Sequence, residues 1–239
     1  MDWNFGDMLD AVGAALGPDD LALAHGDRRI YWPDFSARTN RLARALLNLG
    51  ISRGDKAGFY MRNQPEYMEA MAGCFKASLS PVNVNYRYLD DELVYIIDNS
   101  DSTVVFFDSE FLAEVERVRM RLPRVIAWVQ IGGETVAPFA HGYEAMATEG
   151  DPSPLKGERS GDEVFLLYTG GTTGLPKGVM WTHNIWREAS MEAVRKMGLP
   201  VPETMDEHVQ GALAMGRFSR QLPACPLMHG TGWFTAMGA

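Results

Sequence analysis

Long apolar runs are missing from this chain. The longest, such as residues 165–168, reach only four or five residues, far short of the roughly 20 needed to cross a bilayer. An integral membrane segment is therefore not expected. An excess of basic residues is missing too. With 22 Lys and Arg against 31 Asp and Glu, the formal charge is −9. That disfavours a nucleic-acid partner, because neutralising phosphates calls for a basic face. Cysteine is scarce: Cys74 and Cys225 stand alone, with no CxxC or Cys/His spacing near either. Two buried free thiols are expected, and neither a disulfide framework nor a zinc site. The histidines His25, His141, His183, His208 and His229 form no pair at metal-ligand spacing. The opening MDWNFGDMLD holds acids and no Lys or Arg, unlike a secretory or mitochondrial leader. No repeat period or low-complexity tract is visible. These absences leave a cytoplasmic globular chain as the expectation.

What is present is ordinary in bulk and specific in pattern. The 239 residues are 46% apolar and 22% charged, enough for one large or two modest domains with real cores. "PDFSARTNRLARALLNLG" puts Phe35, Thr39, Leu42, Ala43, Leu46 and Leu47 on one helical stripe. Pro33 sits in its first turn and Gly50 can end it. "KAGFYM" reads as a short buried strand, after which Asn63 opens a helix with Glu66 as its capping partner. Strands follow at 81–85, 103–108 and 124–132, with helices at 90–100 and 110–121 between them. Strand–helix alternation at this rhythm predicts an α/β fold of layered parallel sheets flanked by helices. The Gly-, Pro- and charge-rich stretch 132–162, with one helical piece near 143–147, suggests a boundary. The division expected is 1–155 for a first α/β subdomain and 156–239 for the start of a second.

The second part opens with a strand at 164–168 that runs straight into TGGTTGLPK, residues 169–177. A second strand at 178–181 follows. A helix then starts at Thr182 or Asn184 and continues to about Met197. "QLPACPLMHGTGW" suggests a further strand and a Gly-containing turn. Clustered glycines let backbone N–H groups converge on one point, and threonine hydroxyls add donors, a suitable lining for a polyphosphate. Lys177 supplies positive charge. A loop that merely turns needs one or two such residues rather than nine in a row. Walker A fails, because Pro176 stands at the second glycine, Gly178 at the Ser/Thr, and a strand follows. The dinucleotide fingerprint fails because Gly170, Gly171 and Gly174 have the wrong spacing, and the kinase glycine loop fails likewise.

A fourth loop fits. The order strand-Y-T-G-G-T-T-G-L-P-K-G-V, then Thr182-His183 and a helix, resembles the signature phosphate loop of the adenylate-forming superfamily. The resemblance covers essentially the whole chain and points to its acyl-CoA synthetase branch. Residues 38–100 resemble the family's N-terminal region, and "PLMHGTGW" (226–233) resembles its P-x-x-H segment. Gly170 replaces the more usual Ser or Thr, and Leu89 stands where a capping Thr is common.

The resemblance implies the N-terminal part of the large domain of an adenylate-forming enzyme. It implies ATP, Mg²⁺ and coenzyme A as substrates or cofactors, and a small-molecule carboxylic acid as partner. The acid expected from subfamily flavour is a fatty acid or a sterol side-chain acid. In this chain Thr169, Gly170, Gly171, Thr172, Thr173, Gly174 and Lys177 would bind the ATP phosphates, and Thr169 would ligate Mg²⁺. His229 and Gly230 would border the acyl substrate. His183 is expected to be structural, and Trp181, Trp186, Trp233 and Phe234 to be core. The aromatic-Gly-x-Thr-Glu motif, the ribose-binding aspartate and the C-terminal lysine of such enzymes are not found in the sequence. The expectation is thus a fragment inactive alone, with no catalytic residue assigned, and homodimerisation only for a full-length form. A non-catalytic nucleotide-binding module and a peptide-synthetase adenylation domain stay open beside the acyl-CoA synthetase reading.

Overall fold

The computed structural model describes residues 2–169, 175–215 and 220–237. Helix α1 (Phe5–Ala15) is capped by the Asn4 side chain, which accepts from the Gly6 N–H at 2.7 Å. A hairpin of β1 (Leu21–His25) and β2 (Arg28–Tyr31) follows, turned at Gly26 with φ +55°, where a side chain would be strained. Next come α2 (Trp32–Asn48), β3 (Lys56–Tyr60), α3 (Pro65–Lys76), β4 (Ser80–Asn83), α4 (Asp90–Asn99) and β5 (Ser102–Asp108). Then follow α5 (Leu112–Val118), β6 (Ala127–Ile131), β7 (His141–Gly142) and α6 (Tyr143–Thr148). The remainder holds β8 (Val164–Thr169), β9 (Lys177–Thr182), α7 (His183–Lys196), α8 (Met205–Met215) and α9 (Gly230–Met237).

Seven strands form one sheet in the order β7-β6-β5-β3-β4-β8-β9. Every neighbouring pair from β7 through β8 is parallel, and β9 returns antiparallel to β8. The expected layered α/β fold is present, as a mixed sheet rather than an all-parallel one. β8, which lies past the division expected near residue 155, pairs directly with β4 in the same sheet.

The central strands are buried on both faces, so successive side chains serve opposite cores. Ala57, Phe59, Val104, Phe106, Ala127 and Val129 pack with α2 and α3 through Leu42, Leu46, Met71 and Phe75. Tyr60, Val105, Phe107 and Trp128 face the other way, onto Leu93, Ile96 and Ile97 of α4 and Val115 and Val118 of α5. Gly73 lets α2 and α3 approach closely, since a Cβ there would lie 3.0 Å from Leu42.

Three local expectations need correction. The α3 cap is Gln64, not Asn63, and Glu66 is not a capping partner: its Oε1 accepts from Arg28 at 2.7 Å. The predicted 110–121 helix is α5 flanked by 3-10 turns at Ser109–Phe111 and Arg119–Arg121. No strand is present among the described residues of 221–233. A turn closed by His229 N–H donating to Pro226 O at 2.9 Å leads straight into α9. Pro223 and Pro226 bring no N–H to a ladder there. By contrast, Thr182 caps α7 by accepting from Ile185 N–H at 3.1 Å, and Gly50 follows α2 with φ +88°.

Candidate active site at the carboxyl edge of the sheet

Parallel strands end on one edge, and ligands of open α/β sheets bind outside the carboxyl ends of such strands. Here that edge is formed by Tyr60, Asn83, Asp108 and Thr169, the last residues of β3, β4, β5 and β8. β8 leaves it and β9 comes back, with Thr169 directly opposite Lys177 in the ladder. Both residues are exposed. A hydroxyl and an ammonium therefore flank the two ends of the connection. Gly170, Gly171, Thr172, Thr173 and Gly174, the other expected phosphate ligands, lie outside the described residues.

The base of this hairpin is held from three sides. The Asn83 side chain accepts from Tyr168 N–H at 2.6 Å and donates to Tyr168 O at 3.3 Å. Tyr168 donates its hydroxyl to Asn99 at 2.7 Å, and Tyr95 donates to Pro176 O at 3.0 Å. Gly178 sits under the Tyr168 ring, where a Cβ would lie 2.9 Å from a ring carbon. Asp108 accepts from Arg62 N–H at 2.7 Å and from the Gln64 amide. Burial pushes its carboxyl up to about 6 against those two bonds.

His229 is exposed and occupies the position before α9, its carbonyl accepting from Trp233 N–H at 3.1 Å. Gly230 begins α9 next to β8, with Leu167 Cδ1 at 3.4 Å from where its Cβ would be. The 226–230 turn and the hairpin are thus neighbours. Trp233 is core as expected, fully buried, with its indole N–H donating to Tyr67 Oη at 2.9 Å. Trp181 and Trp186 are half-buried against Phe234. His183 is packed as expected: stacked on Phe5 at 4.3 Å, its Nδ1 accepts from the Phe5 N–H at 3.2 Å. Burial pushes it down to about 3, so the ring is neutral.

Among the described residues no group of three or more His, Cys, Asp or Glu could hold a metal ion. The Thr169 hydroxyl is a single hard-oxygen donor. That fits Mg²⁺, which usually keeps several waters and binds through few protein groups plus substrate phosphates.

The sequence profile of AMP-binding enzymes matches residues 11–239. The chain belongs to the AMP-binding enzyme family. It is 36% identical over 232 residues to a 3-oxocholest-4-en-26-oate–CoA ligase of Rhodococcus rhodochrous, covering 95% of this chain and 41% of that protein. It is 40% identical over 188 residues to a medium/long-chain-fatty-acid–CoA/3-oxocholest-4-en-26-oate–CoA ligase of Mycobacterium marinum, covering 75% of this chain and 34% of the relative. The fold matches the inhibitor-bound N-terminal domain of FACL13 from Mycobacterium tuberculosis. The TM-score there is 0.77 at 25% identity, over 99% of this chain and 54% of that one. The chain therefore spans well under half the length of the CoA ligases it matches.

Within this AMP-binding chain, the residues that grip the hairpin from outside it were not singled out from the sequence. Asn83 had a readable signal, a polar residue inside the otherwise apolar strand "PVNV". Tyr95 and Asn99 had none, because their partners lie far along the chain.

Proposed function

We propose that this chain contributes the phosphate-binding half of an acid–thiol ligase, which activates a carboxylic acid with ATP and passes the acyl group to coenzyme A. The observation that carries the reading is the β8–β9 hairpin. The hairpin's strands meet the carboxyl edge of the sheet's parallel strands in an AMP-binding enzyme, and the sequence between them reads Gly170, Gly171, Thr172, Thr173, Gly174.

The chemistry sets what the residues must do. A carboxylate oxygen attacks the α-phosphorus, the α–β bridging bond breaks, and pyrophosphate leaves. The coenzyme A sulfur then attacks the acyl carbon, and AMP leaves. Both partners of the first step are anions, so catalysis is largely positioning and neutralisation of charge. The backbone N–H groups of Gly170, Gly171 and Gly174, with the hydroxyls of Thr172 and Thr173, would hold the β and γ phosphates, and Lys177 would add a positive charge. Thr169 would hold the Mg²⁺ that accompanies the triphosphate, whose charge offsets that of the phosphates. His229 and Gly230 would line the acyl side. The relatives' names support a fatty acid or a sterol side-chain acid as substrate.

The test is acid-dependent exchange of pyrophosphate into ATP by the full-length protein. Thr172→Ala and Lys177→Ala should each slow exchange on the order of 10–10³-fold, the usual loss for one donor aimed at developing charge. Unchanged exchange in both variants would remove the phosphate assignment. Release of inorganic phosphate in place of pyrophosphate would make the protein a phosphotransferase.

A further inference from the structure

Asn83 is the last residue of β4, and its side chain bonds the backbone of the neighbouring strand β8 and of the 226–230 turn. It is 3% exposed and reaches across the carboxyl edge in two directions. Toward β8 it accepts from Tyr168 N–H and donates to Tyr168 O. Toward the 226–230 turn, the same amide donates to Met228 O. One primary amide therefore ties the end of β8, just before the 170–174 connection, to the turn that carries His229.

The turn has few other attachments. Asn63 accepts from Leu227 N–H at 2.7 Å and donates to Cys225 O at 3.5 Å, and Tyr67 donates to Leu227 O at 3.3 Å. Those bonds run to the β3–α3 connection and α3, not to β8. Asn83 alone among these side chains reaches both segments. Its chemistry is specific: the amide oxygen must accept while the amide nitrogen donates twice, which only Asn supplies at this length.

We propose that Asn83 is a positioning residue that couples the hairpin to the 226–230 turn, so that the seat of the phosphates sets the seat of the acyl group. The proposal takes its functional meaning from the site reading above, but the coupling itself does not depend on it. In-line attack at phosphorus tolerates little error between the carboxylate and the α-phosphate. A shared buried amide fixes that relation more tightly than two separate anchors.

Deuterium exchange on the 239-residue chain tests the coupling directly. Peptides covering 164–169 and 225–233 are followed, with β6 (Ala127–Ile131) as the marker of global folding. Asn83→Ala should raise exchange about tenfold or more in both segments while β6 stays protected. A rise in only one segment, or in neither, overturns the coupling. Should β6 also lose protection, Asn83→Asp decides. A carboxylate there still accepts from Tyr168 N–H but cannot donate to Met228 O, whereas the protonated acid can. Exchange of 225–233 relative to the unsubstituted chain should therefore rise between about pH 6 and about pH 9, and that of 164–169 should not follow. A flat ratio overturns the proposal. In the full-length protein, Asn83→Asp should lower kcat for pyrophosphate exchange about tenfold and leave both KM values within about threefold. An unchanged kcat would remove the positioning role. Absence of exchange in the unsubstituted protein would instead overturn the functional reading, leaving the deuterium result to judge the coupling.

Discussion

His183 shows how a single side chain can carry a pH dependence without touching substrate. Folded, it is neutral down to about pH 3 because burial against Phe5, Phe75 and Phe165 disfavours its charged form. Unfolded, it takes a proton near its ordinary value of about 6.5. The unfolded state thus binds more protons between these values. The stabilisation is complete above about pH 6.5 and is lost as pH falls toward 3, at about 1.4 kcal/mol per pH unit for one proton. Urea midpoints between pH 7 and 5 should fall less steeply in His183→Phe than in the unsubstituted chain; equal slopes would contradict the neutral buried ring. His229 belongs to the same scale but to the opposite setting, exposed before α9. In the full-length protein, His229→Trp should raise KM for the acid more than for ATP, because filling the acyl side weakens uniform binding of that substrate. A change confined to the ATP constant would place this histidine elsewhere.

Between elements, the contacts that matter most are ionic and buried. Glu69 of α3 is 0% exposed and accepts from Arg38 of α2 at 2.8 and 3.0 Å and from Tyr143 of α6 at 2.8 Å. Removing the guanidinium leaves a buried carboxylate with one hydroxyl partner, so Arg38→Ala should cost about 3 kcal/mol of unfolding free energy. Adding Glu69→Leu should return part of it; a single-variant loss below about 1 kcal/mol would show that the pair is solvated. These elements also show what was legible beforehand. α2 could be read because its stripe, Pro33 and Gly50 are local signals, and β3, β5 and β6 because both-face burial demands apolar runs. α1, the β1–β2 hairpin and α8 were not read. α1 rests on distant support: Arg159 donates to Asp7 at 2.7 Å and to Asp10 at 2.9 Å, and Lys76 pairs with Asp10 at 3.0 Å. The 221–233 stretch was read as a strand and a Gly-containing turn; the turn is present, but the strand is not, because the apolar residues serve that turn and the buried face of α9. The TGGTTGLPK pattern stood out beforehand because its Gly and Thr residues are contiguous in the sequence, whereas Asn83's bridging needed three segments brought together.

At the scale of the whole molecule, two opposite cores hold a mixed sheet, and the carboxyl edge of its parallel strands presents the hairpin and the His229 turn side by side. That arrangement supports the proposed reaction only if a carboxylate oxygen bonds to the α-phosphorus of ATP. The full-length protein, given ATP, coenzyme A and a fatty or sterol side-chain acid with heavy oxygen in its carboxyl group, reports this bond in the products. Cleavage of an acyl-adenylate at its acyl carbon leaves the bridging oxygen on phosphorus. The account predicts one heavy oxygen in the phosphate of AMP, with pyrophosphate unlabelled. Label in inorganic phosphate, or AMP formed without label, would contradict it.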